Sequence, residues 1–287
     1  MQFTNKFNLP DTLANALQSD TYSKGASWKS ITQLINPPQI DHLRSLHYHE
    51  MEEDVSNSVW RLLGTAVHHI LESGEAPNLV TEERLFIELD GKTISGAIDV
   101  QEIIGQRERV IYDYKVSTVR SLDSIEDKDW EAQLNCYAYL VETANKKAVV
   151  DINVVLIMRD WISGRAKNDT TYPQCPIQVI SLPLWSRGDQ EEYIRSRMNL
   201  HKQAEAGQVI ECSDNERWFS EGKIAVMKKG RKSAVRLYDV DKREEAEFHA
   251  EQKNDHYIEE RLGRYARCEG NFCGVNQFCN QWKGAEL

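Results

Sequence analysis

The stretch Ile94–Lys115, ISGAIDVQEIIGQRERVIYDYK, predicts two β-strands joined by a short polar loop. Asp99 lies late in the first strand, and Asp113 and Lys115 lie at the end of the second. Residues two apart on a strand share a face, so Asp113 and Lys115 point one way and Tyr114 the other. If the two strands pair as a hairpin, both carboxylates and the ammonium group converge at one place.

This set of side chains suits metal-assisted cleavage of a phosphodiester. Two carboxylates can hold a hard divalent cation, and a neighbouring lysine can orient or deprotonate a water molecule. The pattern of an acidic residue, any residue and lysine is common by itself. It also occurs at Asp90–Lys92, Glu126–Lys128, Glu221–Lys223 and Glu251–Lys253. Asp113 differs because it ends an apolar strand, although a structural hairpin with surface charges is the alternative interpretation.

The elements around the hairpin predict an α/β core. In chain order we expect a helix at 52–72, two strands flanking Asp90-Gly91, a third strand ending near Lys115, a helix at 130–143, two further strands and a helix at 189–206. Asp-Gly between two strand-like runs is a strong hairpin signal. The order is typical of a mostly antiparallel front followed by a crossover connection.

Two predicted helices carry polar residues at four-residue spacing. Gly64, His68 and Glu72 share one face of the first helix, and Gln133 and Tyr137 share a face of the second. A glycine on such a face would let another backbone come close. The first helix also has an apolar stripe that we expect to be buried: Val59, Leu62, Leu63, Ala66, Val67 and Ile70.

In order, these residues form the patterns G-x-x-x-H-x-x-x-E, G-x-x-D, D-x-K and Q-x-x-x-Y, where Gly96 begins the second. The set resembles the PD-(D/E)XK nuclease superfamily, and is closest to the branch with RecB-type and CRISPR-associated adaptation nucleases. The resemblance covers roughly 60–158. It implies an α/β fold with a core of helix, three-stranded antiparallel meander, helix and further strand, followed by a helical C-terminal lobe. The segments SWKSITQLINPP and AVMKKGRKSAVR are similar to phage-encoded exonucleases.

The resemblance also implies a role for each residue. His68, Asp99, Asp113 and the carbonyl of Tyr114 would bind Mg²⁺ or Mn²⁺. The catalytic set would be Lys115, Asp113, Asp99, Gln133, Tyr137 and Glu72. Lys115 would position the attacking water and stabilise charge in the transition state. Gln133 and Tyr137 would hold Lys115 or the phosphate, and Glu72 would orient His68 or remain a surface charge.

Three cysteines cluster near the end of the chain, at Cys268, Cys273 and Cys279. Their spacing is similar to the iron–sulfur motif of related nucleases, which is usually tighter between its first two cysteines. Those relatives place a fourth cysteine before the core, whereas this chain has none before Cys136. Cys212 is therefore the best fourth ligand. The resemblance favours an iron–sulfur cluster over zinc, and three reduced thiols in a loop-rich tail are the alternative.

The segment 223–236 contains no acidic residue and is a candidate DNA-binding track. Its basic residues are Lys223, Lys228, Lys229, Arg231, Lys232 and Arg236. A solvated basic loop is an equally good interpretation. The net charge of −10 argues against a protein that coats nucleic acid indiscriminately.

We therefore expect a divalent-metal-dependent deoxyribonuclease, and by resemblance alone an exonuclease in phage-type recombination or replication. DNA and a single-strand annealing protein are the expected partners. The alternatives are a DNA- or partner-binding module that does not cut, and a restriction-type endonuclease. The expected domains are an N-terminal helical segment at 1–50, the nuclease core at 51–208 and a C-terminal lobe at 209–287.

No apolar run reaches the ~20 residues that a membrane helix needs, and the N-terminus lacks the apolar core of a signal peptide. We therefore expect no membrane partner and a cytoplasmic location, which is the host cytoplasm if the protein is phage-encoded.

Overall fold

The computed structural model describes residues 1–18, 24–74, 76–125 and 129–283. The chain is mixed α/β and divides into two compact units, Met1–Ile210 and Glu211–Leu287. The N-terminal 50 residues belong to the first unit. Within the described ranges, no helix is long and apolar enough to cross a membrane.

Eight strands and seven α-helices make up the described part of the first unit. The strands are β1 (Gln2–Thr4), β2 (Lys29–Ser30), β3 (Glu52–Asp54), β4 (Leu79–Leu89), β5 (Lys92–Ile103), β6 (Glu108–Ser117), β7 (Ala148–Met158) and β8 (Ile177–Leu182). The helices are α1 (Asp11–Gln18), α2 (Ile31–Ile35), α3 (Pro38–His47), α4 (Val59–Glu72), α5 (Trp130–Ala144), α6 (Ser163–Asn168) and α7 (Arg187–Glu205).

The main sheet has six strands. Five of them follow the order β2-β5-β6-β7-β8, and the sixth, β4, also pairs with β5. Strands β4, β5 and β6 form the predicted antiparallel meander. Asp90 and Gly91 make the two-residue turn between β4 and β5, and both have positive φ, of 48° and 69°. Positive φ at both central residues is what the favoured hairpin turn requires, so the Asp-Gly prediction is confirmed.

Helix α5 crosses from β6 to its parallel neighbour β7, and β8 closes the sheet as an antiparallel edge strand. The apolar residues Leu134, Ala138 and Val141 recur at helical spacing on α5 and are buried. A glycine permits the close packing of this helix on β5. A Cβ added to Gly96 would lie 2.7 Å from Leu140 Cδ1 and 2.8 Å from Tyr137 Cε1. The polar face of α5 is thereby held close to the strand that carries Asp99.

The first predicted helix differs from the expectation in two ways. Residues 52–58 form β3 and a 3-10 turn, so α4 begins only at Val59. No residue of α4, all of which is described, is buried, and Val59, Leu63 and Ile70 are 41%, 38% and 67% exposed. The predicted buried stripe is therefore wrong. Periodicity shows that a helix has an apolar face, but it does not show whether another element reaches that face.

Gly64 also differs from its prediction. A Cβ added at this position would meet no atom of the described residues within 4 Å, so none of their backbone makes the expected close approach.

The second unit has β9 (Phe219–Ser220), β10 (Lys223–Lys228), β11 (Arg236–Asp239), β12 (His256–Arg261) and β13 (Arg264–Tyr265), with helices α8 (Arg243–Glu251), α9 (Ala266–Glu269) and α10 (Asn280–Lys283). Strands β11, β10 and β12 form an antiparallel sheet, and α8 packs on it. The shared core consists of Ile224, Val226, Tyr238, Ala246 and Ala250.

The expectation of a helical C-terminal lobe is therefore wrong. Helix α8 ends at Glu251, and the segment His256–Arg261 pairs with β10 as a strand. Charged residues with good helix propensity hid this strand in the sequence. Tertiary context decides the outcome, because Ile258 packs against the core shared by α8 and the sheet.

Candidate active site

The two carboxylates of the stretch Ile94–Lys115 lie side by side, as the hairpin prediction requires. Strands β5 and β6 pair antiparallel, with Val100 opposite Tyr112, which brings Asp99 beside Asp113. The backbone N–H of Tyr114 donates to Asp99 Oδ2 at 2.7 Å. This bond ties the end of β6 to the Asp99 side chain, and the Asp99 carboxylate is nearly buried.

Lys115 is held by a network that joins β6 to α5. Its Nζ lies 2.7 Å from Asp113 Oδ2 and donates to Gln133 Oε1 at 3.1 Å. Gln133 Nε2 in turn donates to Asp113 Oδ1 at 3.3 Å and to the Tyr137 hydroxyl at 2.9 Å. The network fixes both the ammonium group and the carboxylate, and four of the predicted catalytic residues take part in it.

Asp113 is almost completely buried, with 2% of its surface exposed. Burial raises the pKa of its carboxyl group to about 6, and the nearby Lys115 ammonium opposes that rise. Both of its carboxylate oxygens have partners, since Oδ1 accepts from Gln133 and Oδ2 forms the ion pair with Lys115. A carboxylate that is held in this way keeps one fixed orientation.

A second group of donors comes from three different elements. His68 Nδ1 on α4 lies 3.4 Å from Asp99 Oδ2 on β5 and 3.6 Å from Glu82 Oε1 on β4. One ligand atom from each residue lies within 4.8 Å of the others. Among the described residues, no other group of three histidine, cysteine or carboxylate side chains meets that distance. The two carboxylates, Asp99 first, raise the pKa of His68 to about 10.

Glu82 was missed by the sequence analysis, and Glu72 lies outside this group. Glu82 lies near the start of β4, which runs from Leu79 to Leu89. The sequence offered only a weak signal, an acidic pair at the start of an apolar run. Glu72 is on the exposed side of α4, with its Oε2 3.5 Å from His69 Nδ1. The structure therefore supplies a different carboxylate to His68.

Cys212, Cys268, Cys273 and Cys279 all belong to the second unit, and none of these four described cysteines forms a disulfide. Cys212 is tied to the C-terminal segment by Gln281, which accepts from its backbone N–H at 3.0 Å and donates to its carbonyl at 2.8 Å. Burial, with Glu216 and the neighbouring thiols Cys279 and Cys268, raises the pKa of Cys212 to about 12.

The cysteine sulfurs are nevertheless loosely spaced. No three of them, all described, lie within 4.8 Å of one another. Zinc bound at about 2.3 Å to each sulfur would need a tighter set.

The predicted DNA-binding residues lie on the β10–β11 hairpin. Lys223 forms an ion pair with Asp239, and Lys228 Nζ lies 3.4 Å from Asp255. Lys229, Arg231 and Lys232 are exposed in the connecting turn, and the Arg236 guanidinium lies 5.0 Å from the ring of Tyr238. The acidic partners of two lysines were not visible from the local sequence.

No family model matches the sequence, and no curated protein is significantly similar to it. Among solved structures, SSO0001 is 19% identical, with a TM-score of 0.42 over 72% of this chain and 87% of that chain. A provisionally assigned exonuclease from Eubacterium rectale is 14% identical, with a TM-score of 0.34 over 50% of each chain. At such low scores, neither structure assigns a fold or a function to this chain.

Proposed function

We propose that the protein is a divalent-metal-dependent deoxyribonuclease of the PD-(D/E)XK type, and that it acts as an exonuclease. The observation that carries this proposal is the Lys115 ammonium group, fixed between buried Asp113 and Gln133 beside the donors His68 and Asp99. The antiparallel meander, the crossover through α5 and the parallel strand β7 also support a core of this type.

The residues fit Mg²⁺ or Mn²⁺. His68, Asp99 and Asp113 would hold the cation, with the carbonyl of Tyr114 as a further ligand. A bound cation supplies Lewis-acid stabilisation of the phosphate and lowers the pKa of bound water. Lys115 positions the attacking water and offsets negative charge that develops on the phosphate oxygens. Gln133 holds the Lys115 ammonium in place, and Tyr137 accepts a hydrogen bond that orients the Gln133 amide.

The motif resemblance supports three further parts of the proposal. These are DNA as the substrate, cleavage from DNA ends, and a role in phage recombination or replication beside a single-strand annealing protein. The exposed turn of the β10–β11 hairpin supplies a basic surface for the phosphate backbone.

For the cysteines we propose an iron–sulfur cluster held by Cys212, Cys268, Cys273 and Cys279. The motif resemblance favours such a cluster over a single zinc ion. Iron and acid-labile sulfide assays on anaerobically purified protein test this assignment. Protein that contains neither iron nor sulfide would exclude the cluster, and protein that contains only zinc would assign the site to zinc.

Incubation with end-labelled linear duplex and with covalently closed circles, in Mg²⁺, Mn²⁺ or EDTA, tests the function. We expect degradation of the linear DNA alone, in either metal and not in EDTA. Cutting of circles at one sequence would indicate a restriction-type endonuclease. DNA binding without cleavage in either metal would indicate a binding module and would contradict the proposal.

A further inference from the structure

Glu82 has a backbone conformation that is unusual inside a strand. Its φ is +49°, in the left-handed region that a side chain with a Cβ rarely adopts. On either side of it, Thr81 pairs with Val100 and Glu83 pairs with Ile98 in unbroken register. Glu82 therefore interrupts the β4–β5 ladder at the position opposite Asp99. The strand continues undisturbed beyond this single residue.

The two adjacent glutamates of β4 have different surroundings. The carboxylate of Glu83 accepts from Gln101 Nε2 at 2.6 Å and from Asn145 Nδ2 at 2.9 Å, so amide donors satisfy it. Within the described part of the chain, Glu82 has His68 as its side-chain partner, at 3.6 Å. The left-handed residue thus turns a half-buried carboxylate toward the imidazole and Asp99, where no neutral donor from residues 1–18, 24–74, 76–125 or 129–283 meets it.

We infer that Glu82 is a ligand of the divalent cation, and that the left-handed backbone is retained because it delivers this carboxylate to His68 and Asp99. This inference rests on the metal site of the proposed function but not on cleavage of DNA. One ligand atom from each of His68, Glu82 and Asp99, which belong to three different elements, lies within 4.8 Å of the others, and a single bound cation needs donors that compact. One imidazole and several carboxylates form a donor set suited to Mn²⁺ and Mg²⁺.

Cation binding to the full chain tests the role of Glu82 without a nuclease assay. Protein stripped with EDTA and dialysed is titrated with Mn²⁺ alone, and affinity is measured by calorimetry. We expect Glu82→Gln to weaken Mn²⁺ binding at least tenfold. Glu88→Gln changes an exposed glutamate on the same strand and should leave the affinity unchanged. Equal affinity in Glu82→Gln and the unmodified protein would overturn the inference, as would an unmodified protein that binds no Mn²⁺ at millimolar concentration.

Glu82→Gly tests the link between the backbone and the ligand. Glycine accepts positive φ at no steric cost but has no carboxylate. The cation-free Glu82→Gly protein should therefore melt at a higher temperature than Glu82→Gln, which loses the same charge beside His68 but keeps a Cβ. Mn²⁺ should raise the melting temperature of Glu82→Gly less than that of the unmodified chain. A Glu82→Gly protein that melts below Glu82→Gln would contradict the role of the backbone, and one that gains as much from Mn²⁺ as the unmodified chain would contradict the role of the carboxylate. The unmodified protein could bind Mn²⁺, lose affinity in Glu82→Gln and still cleave no DNA. That result would refute the proposed nuclease activity but would keep Glu82 as a ligand of the cation.

Discussion

Lys115 and Asp113 are two residues whose chemistry depends on burial. The carboxylate is enclosed by the sheet and α5, and the ammonium group is its nearest cation. Because the proposed function gives Lys115 a contact with the reacting phosphate, its loss should affect cleavage more than folding. We predict that Lys115→Met lowers the cleavage rate about 10²- to 10³-fold, similar to removal of other transition-state donors.

Lys167→Met is the matched control, since Lys167 is an exposed lysine of α6. Single-turnover cleavage of linear duplex, with circular dichroism to check folding, measures both variants. Equal losses in the two variants would show that Lys115 has no special role.

His68 gives the cation site a pH dependence. Its pKa of about 10 in the cation-free protein is above the unfolded value of 6.5, so the folded state retains a proton that the unfolded state releases between those values. This contribution to stability is complete below pH 6.5 and is lost as pH rises toward 10.

Cation binding needs the neutral imidazole of His68, so the affinity for the cation should rise about tenfold per pH unit from pH 6.5 to 8.5.

Calorimetric titration with Mg²⁺ across that range checks the slope, and His68→Asn should remove most of it. An affinity that stays constant with pH in the unmodified protein would show that His68 is not a ligand.

At the scale of elements, the contact between α5 and β5 depends on Gly96. Because a methyl group there would overlap Leu140 and Tyr137, Gly96→Ala should lower the free energy of unfolding by about 1–3 kcal/mol. Gly64→Ala is the control, since the same change on α4 meets open space and should stabilise the helix by up to about 1 kcal/mol. Urea denaturation of both variants measures the two effects, and an unchanged midpoint for Gly96→Ala would contradict the packing.

The sequence could predict those elements in which the local residue pattern favours the same conformation as the contacts made in the folded protein. The Asp90-Gly91 turn needs only two positive φ angles, and α5 carries an apolar stripe that the sheet covers. Glu82 could not be predicted, because no local preference favours a left-handed glutamate within a strand. Strand β12 was also hidden, since its charged residues are compatible with a helix and Ile258 packs against residues distant in sequence.

For the whole molecule, the distribution of charge matters more than its sum. A net charge of −10 opposes DNA binding in general, so contact must come from a local surface. We predict that replacing Lys228, Lys229, Arg231 and Lys232 by Ala reduces the salt dependence of DNA affinity, by about 0.9 in the log–log slope for each lost phosphate contact. Fluorescence anisotropy at several salt concentrations in Ca²⁺ measures the slope.

Replacement of Lys146, Lys147 and Lys167 by Ala removes charge from another part of the chain. This control should leave the slope unchanged. Equal slopes for the hairpin variant and the unmodified protein would show that the β10–β11 hairpin does not contact DNA.

In the proposed function, Asp113 and its neighbours cleave phosphodiesters with a bound cation. The most direct measurement is the release of acid-soluble nucleotides from linear duplex in Mn²⁺, by the unmodified protein and by Asp113→Asn, which preserves side-chain shape. We predict release by the unmodified protein, none in EDTA, and loss of at least 10²-fold in the variant while its circular dichroism is unchanged. Undiminished release by a folded Asp113→Asn protein would place the chemistry elsewhere and contradict the proposed function.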